Sequence, residues 1–182
     1  MSTVTAPATT TWKIDSAHSN VEFSVRHLMI TTVKGRFAEV SGSVTTHDSD
    51  PAKGAVDVTI NAASIDTREQ QRDAHLRSAD FFETEKYPVI AFRSTRIEDV
   101  KGDRFTLVGD LTMHGVTREV ALDVTSEGRA KDPWGGERAG FTATGKLKRS
   151  DFGLTWNQAL EAGGVLVGDD IKISLDVELL KG

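Results

Sequence analysis

DTREQQRDAHLRSADFFETEKYPVIAF, at residues 66–92, is the one long stretch of the 182-residue chain that lacks the alternation of a β-strand. Asp66 and Glu69 have the spacing of a capping box, which predicts that a helix begins near them. The predicted helix, at about residues 68–79, has Leu76 as its single large apolar side chain and would be marginal alone in water. We therefore expect it to pack against one end of a sheet.

In the rest of the chain, apolar and polar residues alternate with the period of two that is typical of half-buried strands. Such strands must close on themselves or pair with a second sheet to hide their edges, and glycines inside them favour a curled barrel. The sequence therefore predicts an all-β fold, an antiparallel up-and-down β-barrel of about eight strands with one short helix inserted. The predicted strands lie at residues 12–15, 20–29, 35–46, 55–62, 89–97, 105–113, 116–126, 138–149 and 170–180.

The connections between these strands carry their own predictions. His114 and Gly115 lie between two strands, where a two-residue hairpin loop needs positive φ angles. Residues 128–136 are expected to form a loop, and residues 151–168 a longer one with one helical turn near 158–162. Residues 1–11 are expected to be a disordered tail, and residues 12–182 a single domain.

Composition excludes several classes of function. The formal net charge of −5 and the absence of a basic cluster argue against nucleic acid as a partner. The absence of cysteine removes disulfides, thiolate catalysis and cysteine-bound zinc. No apolar run is long enough to span a membrane, and residues 1–11 lack the features of a signal peptide. We therefore expect a soluble, cytoplasmic protein without a cofactor.

Six segments, in order along the chain, resemble one known family. They are WKIDSAHSNVEFSVRHLM at 12–29, KGRF at 34–37, RDAHLRSADFF at 72–82, YPVIAFRS at 87–94, GDLTMHGVTREV at 109–120 and RSDFGL at 149–154. Together they resemble the YceI-like family of polyisoprenoid-binding, lipocalin-like proteins. The resemblance implies a barrel whose elongated apolar cavity binds a long isoprenoid or similar amphiphile. It also implies a homodimer in some members, and a periplasmic location in many members that carry a secretion signal.

Inward positions of the predicted strands supply the candidate ligand-binding residues. Alternation alone would fit a packed core equally well, and the resemblance is what favours a cavity. The expected lining comprises Phe23, Val25, Phe37, Val58, Ile60, Phe82, Phe92, Leu107, Leu122, Phe141, Trp156, Ile173 and Leu175.

The polar helix has two interpretations. Arg72, His75 or Arg77 could contact the anionic head group of an amphiphile, because guanidinium matches phosphate geometry. Alternatively, Arg72 and Asp73 satisfy buried backbone groups where the barrel closes. Asp73 and Arg77 are also spaced i,i+4, which predicts an ion pair on the helix surface.

No catalytic or metal-binding motif stands out. The five histidines show neither HxH nor HExxH spacing, so hydrogen bonding is the expected role and no metal site is predicted. A GxSxG elbow is also missing. The favoured function is non-catalytic binding, storage or transport of a long-chain isoprenoid, of the polyprenyl or prenyl-quinone type. The alternative is an enzyme acting on an apolar substrate inside the same barrel.

Overall fold

The computed structural model describes residues 8–182 and contains eleven strands and one α-helix in that range. The strands are β1 (Thr9–Ile14), β2 (Asn20–His27), β3 (Thr31–Phe37), β4 (Val40–His47), β5 (Ala55–Asn61), β6 (Ile65–Asp66), β7 (Val89–Lys101), β8 (Arg104–Met113), β9 (Val116–Lys131), β10 (Glu137–Lys148) and β11 (Val167–Lys181). The helix, α1, is Gln70–Arg77. No helix in the described part of the chain has the length and apolar character needed to cross a membrane.

All strand pairs are antiparallel, and the sheet closes because β1 pairs with β11. Eight strand positions surround the barrel, and three of them are filled by two consecutive segments: β1 with β2, β3 with β4, and β5 with β6. For example, β11 pairs with β1 at Leu179 and continues against β2 from Asp176. The predicted antiparallel barrel of eight strands with one short helix is therefore confirmed.

Several predicted boundaries were wrong for local backbone reasons. Strand β2 stops at His27 because Leu28 and Met29 have positive φ angles of 53° and 63° and turn the chain into β3. The N-terminal part of β3 was missed, and residues 35–46 are divided between β3 and β4. Positive φ angles of 54° and 73° confirm the predicted hairpin loop at His114 and Gly115.

The ends of the chain and the long loop also differ from expectation. Strand β1 begins at Thr9, so three residues of the predicted tail belong to the barrel, and the remainder of the tail lies largely outside the described residues. The expected helical turn near 158–162 does not form; Ala159 and Val165 make an isolated β-bridge instead. A 3₁₀-helix occurs earlier, at Arg149–Phe152.

The helix is shorter than predicted because Arg68, with φ of 65°, lies outside it. Glu69 is the N-cap, and its carboxylate accepts hydrogen bonds from the backbone N–H groups of Gln71 and Arg72. The predicted surface pair of Asp73 with Arg77 was wrong. Asp73 is buried and accepts hydrogen bonds from both the backbone N–H and the hydroxyl of Thr67.

Three apolar clusters follow one another along the barrel. The first lies at the helix end around Ala62, Ile90 and Phe152; the second, in the middle, contains Phe92, Leu107, Leu122, Val124 and Ala143. The third surrounds Trp12, Ala139 and Leu179 near the opposite end. The middle cluster does not fill the barrel, which leaves the cavity described below.

Candidate functional site: an apolar cavity through the barrel

The inner faces of the strands enclose a cavity of about 710 Å³. Its volume lies in the range that is usual for pockets that bind small molecules. Most of the expected lining residues do line it: Phe23, Val25, Phe37, Val58, Ile60, Phe82, Phe92, Leu107, Leu122, Phe141, Ile173 and Leu175. An apolar wall of this kind suits the chain of a lipid, because transfer of apolar surface from water supplies the binding free energy.

Trp156 was wrongly expected in the wall. It lies in the loop before β11, and its ring packs edge-on against His75 with the centroids 4.8 Å apart. The Trp156 ring also lies 5.3 Å from that of Phe81, which does line the cavity. Trp156 therefore supports the wall from behind.

The segment around the helix closes one end of the cavity. Leu76, Phe81 and Phe82 line the cavity there, and the ring of Phe82 meets that of Phe37 edge-on at 5.8 Å. Because the helix has so little apolar surface, polar contacts hold it in place. Asp73 anchors it to Thr67, as described above.

The three residues proposed for head-group contact do not line the cavity among the described wall residues. Arg72 donates to the hydroxyl and the carbonyl oxygen of Thr67 at 2.7 and 2.6 Å. Arg77 donates to the carbonyl oxygens of Ala63 and Ile65. Both guanidinium groups therefore satisfy backbone carbonyls, which was the alternative interpretation for Arg72. His75 lies 2.8 Å from a carboxylate oxygen of Asp80. Because all three side chains already have protein partners, the geometry does not favour a head-group site at this end.

A further arginine, Arg149, was not identified from the sequence, yet it is 6% exposed and lines the cavity at the helix end. Its guanidinium donates to four backbone carbonyls, those of Leu154, Trp156, Val167 and Gly168, at 2.8–3.3 Å. Burial lowers the pKa of this group. Arg149 therefore fastens the loop before β11 to the barrel.

The opposite end of the cavity opens to solvent. Wall residues near the helix, such as Ile90 and Leu154, are buried, whereas Asp48, Gly102 and Arg129 at the other end are exposed. The hairpin between β4 and β5, the hairpin between β7 and β8, and the hairpin between β9 and β10 surround this opening. A ligand can therefore enter here without displacing the helix.

The histidine–carboxylate pairs lie away from the cavity. His18 is 2.9 Å from Asp15, and neither residue belongs to the described wall, as is also true of His75 and Asp80. Hydrogen bonds from Arg138 and then His18 lower the pKa of Asp15 to about 2.

Asp15, His18 and Glu178 lie close enough together to suggest a metal site. The guanidinium of Arg138 already lies between the two carboxylates, 2.6 Å from Asp15 and 2.7 Å from Glu178. The compensating cation of this cluster is therefore an arginine side chain. The Nδ1–H of His114 donates to the backbone carbonyl oxygen of Phe152 at 3.0 Å.

Comparison with known proteins gives a consistent match over most of the chain. The YceI-like domain matches residues 12–179. Protein YceI from Escherichia coli is 45% identical over 145 residues, which is 79% of this chain and 75% of that protein.

Solved structures share the fold. The YceI protein of Campylobacter jejuni has 35% sequence identity and a TM-score of 0.72, covering 86% of this chain and 90% of its own. A polyisoprenoid-binding domain from Saccharophagus degradans has 16% identity and a TM-score of 0.67, covering 97% of this chain and all of its own, 100%. At that identity, the second likeness concerns the fold alone.

Proposed function

Because the chain belongs to the YceI-like domain family, we propose that it binds a long-chain isoprenoid, or a similarly long amphiphile, without chemical conversion. The observation that carries this proposal is the apolar cavity of about 710 Å³ that opens at the end opposite the helix. A core packed throughout would leave no such space, since protein interiors contain few voids larger than a water molecule. The isoprenoid class is suggested by the related fold described as a polyisoprenoid-binding domain.

The same geometry supports a carrier or storage role as part of this proposal. The tail of an amphiphile would lie along the middle cluster, next to Phe92, Leu107 and Leu122, which the barrel shields from water. The open end would allow loading and release. Binding without catalysis is favoured because the two histidine–carboxylate pairs described above lie outside the cavity wall.

Mass spectrometry of organic extracts from purified protein tests this proposal. We expect about one prenyl-type or other long-chain molecule per barrel. Delipidated protein should then take up geranylgeraniol, and its thermal midpoint should rise with ligand concentration because the ligand binds only the folded form. Empty preparations that also take up no prenyl alcohol would overturn the proposal.

Prolonged incubation separates binding from catalysis. The extracted lipid should be chemically unchanged after hours with the protein. A product that accumulates in proportion to protein concentration would instead establish the enzymatic alternative.

Self-association forms a separate part of the proposal. The family resemblance led us to expect a homodimer, and light scattering at micromolar concentration measures this directly. A molar mass equal to that of one chain, 19.8 kDa, would exclude it.

A further inference from the structure

The hairpin between β9 and β10 contains a β-bulge at the open end of the cavity. Phe141 pairs with Ser126, but the next pair along the strands is Gly140 with Gly128, so Glu127 is an extra residue without a partner position. Gly128 has a φ of 107°, a conformation that side chains other than glycine rarely adopt. Bulges of this kind occur at barrel rims, where they re-aim a side chain.

The bulge turns Arg129 toward the inside of the barrel. Without the extra residue, the inward alternation of β9 would continue at Gly128; with it, Arg129 pairs with Ala139, whose side chain is 4% exposed in the inner cluster. The guanidinium lies over the buried ring of Trp12, 5.1 Å from its centroid, and Arg129 lines the cavity. The cation–π contact holds the charged group at the opening rather than in bulk solvent.

Positive charges outnumber the carboxylate of Glu137, which lies beside Arg129. Lys131 pairs with Glu137 across the hairpin, and Lys181 donates to the same carboxylate at 3.0 Å. Arg129 lies 3.8 Å from Glu137. A hydrogen bond from Lys181, followed by the charges of Lys181, Arg129 and Lys131, lowers the pKa of Glu137 despite its partial desolvation. Three cations therefore surround one carboxylate.

Arg129 differs from the other arginines near the cavity in having its donors available. No side-chain hydrogen bond joins Arg129 to another residue in the range 8–182, whereas Arg149 donates to four carbonyls at the opposite end. A guanidinium presents a planar set of donors that matches a phosphate or carboxylate with two parallel hydrogen bonds.

We infer that the open end of the cavity binds an anionic head group, a phosphate or carboxylate, with Arg129 as its main contact. The inference rests on the proposed function, since the apolar tail of the same amphiphile would fill the cavity behind Arg129. Asp48 and Asp103 also line the opening, on the other two hairpins. The head group is therefore expected beside β9 and β11 rather than in the centre of the opening.

Three probes with one tail test the inference: geranylgeranyl monophosphate, geranylgeranoic acid and geranylgeraniol. Titration of delipidated protein should show at least about tenfold tighter binding of the phosphate than of the alcohol, the size of a single charge-assisted contact. The acid separates the two anionic classes, because a carboxylate site binds it as tightly as the phosphate. Higher salt should weaken binding of the anions and leave the alcohol unaffected.

Two substitutions and one matched control assign the preference to Arg129. Arg129→Met should reduce the ratio of phosphate to alcohol affinity to about one. Arg93→Met is the matched control, because Arg93 has an 80% exposed side chain and faces outward against Asp57; its ratio should equal that of the parent protein. Glu137→Gln removes the competing carboxylate and should raise the ratio several-fold.

The measured affinities separate failure of the head-group inference from failure of the proposed binding function. Equal affinity for all three probes in the parent, or an unchanged ratio in Arg129→Met, overturns the head-group inference and leaves the binding function intact. Failure to bind any of the three probes, including the alcohol, overturns the proposed function itself. If Arg129→Met does not fold, the direction of change in Glu137→Gln decides the inference: an unchanged or lower ratio overturns it.

Discussion

Two leucines on β11 differ in how tightly the protein packs around them. Both leucines line the cavity, but Leu179 is 2% exposed and packs with Trp12 and Ala139 in the inner cluster, whereas Leu175 is only partly buried beside the middle cluster. Register places both on the inner face, because Leu179 pairs with Ala139 and Leu175 with Ala143. Replacement of each leucine by alanine removes the same atoms from the same strand, so the two variants control for each other.

The expected losses differ because the surroundings differ. Full burial of the three carbon atoms removed from a leucine is worth about 2.4 kcal/mol. At Leu179 a new void adds to this transfer term, so the free energy of unfolding should fall by about 3–5 kcal/mol. At Leu175 the truncation enlarges the existing cavity instead of creating a new void, and a partly buried side chain loses only about half the transfer term, or about 1 kcal/mol.

Urea unfolding of delipidated protein, followed by circular dichroism, measures the two losses. Circular dichroism is preferred to fluorescence because Trp12 contacts Leu179 and its emission would report the local change. The dependence of free energy on urea should keep the same slope in both variants, since neither alters the surface exposed on unfolding.

Three results would refute the reasoning. Equal losses of about 3–5 kcal/mol would mean that the space beside Leu175 is filled by protein. Losses below about 0.5 kcal/mol at both sites would place the apolar face of β11 outside the barrel. A larger loss at Leu175 than at Leu179 would mean that Leu175 is the more tightly packed of the two.

Three further predictions follow from the described contacts. Val58→Trp, in the cavity wall, should stay folded but take up less geranylgeraniol by calorimetry; destabilisation beyond about 3 kcal/mol with normal uptake would indicate a packed site. Arg138→Met should lower the urea midpoint at pH 6, and the difference from the parent should shrink as the pH falls from about 4 to about 2. The reason is that the pKa of Asp15 is held at about 2, so its stabilising charge is present above its unfolded value and is lost on protonation; a pH-independent difference would contradict this. Arg149→Met should lower the free energy of unfolding by about 3 kcal/mol or more and speed proteolysis of the loop before Val167, because buried carbonyls lose their donors. Unchanged cleavage would contradict the role of Arg149 in fastening this loop.

The fold and most of the cavity wall could be predicted because both depend on alternation. In a strand, every second side chain faces the same side, so Val56, Val58 and Ile60 share a face whatever their partners are. Loops carry no such period. Trp156 was misplaced because its position depends on how the segment before β11 crosses the helix, which no local pattern records.

The polar residues of the helix were harder to place for a related reason. Their spacing is compatible with an ion pair between Asp73 and Arg77, and such pairs are common on helix surfaces. In the fold, however, the backbone beside the helix offers unsatisfied groups at Thr67, Ala63 and Ile65. Buried backbone groups must be paired, and that requirement outweighs a weak surface contact.

The bulge in β9 shows where alternation fails and why that matters for function. Continuing the inward set Leu122, Val124 and Ser126 by two would have selected Gly128, whereas the sequence prediction ended the strand at residue 126 and assigned residues 128–136 to a loop. The single signal was a glycine between charged residues in a strand-like context, which is typical of a bulge. One extra residue exchanges the two faces of the strand beyond it, so Arg129 is on the inside.

The arginines near the cavity therefore differ in whether their guanidinium groups already donate hydrogen bonds to the protein. Arg149 at the helix end gives its donors to backbone carbonyls, and Arg72 and Arg77 do the same beside the helix, so an incoming anion there would have to displace protein hydrogen bonds. Arg129 at the open end has a carboxylate only at 3.8 Å and an aromatic ring beneath it. Among the residues that the structure describes, Arg129 donates no side-chain hydrogen bond that an anion would have to displace, and the charge of the anion would remain near water while the tail is buried. An amphiphile should for this reason enter tail first, with its head group left at the opening.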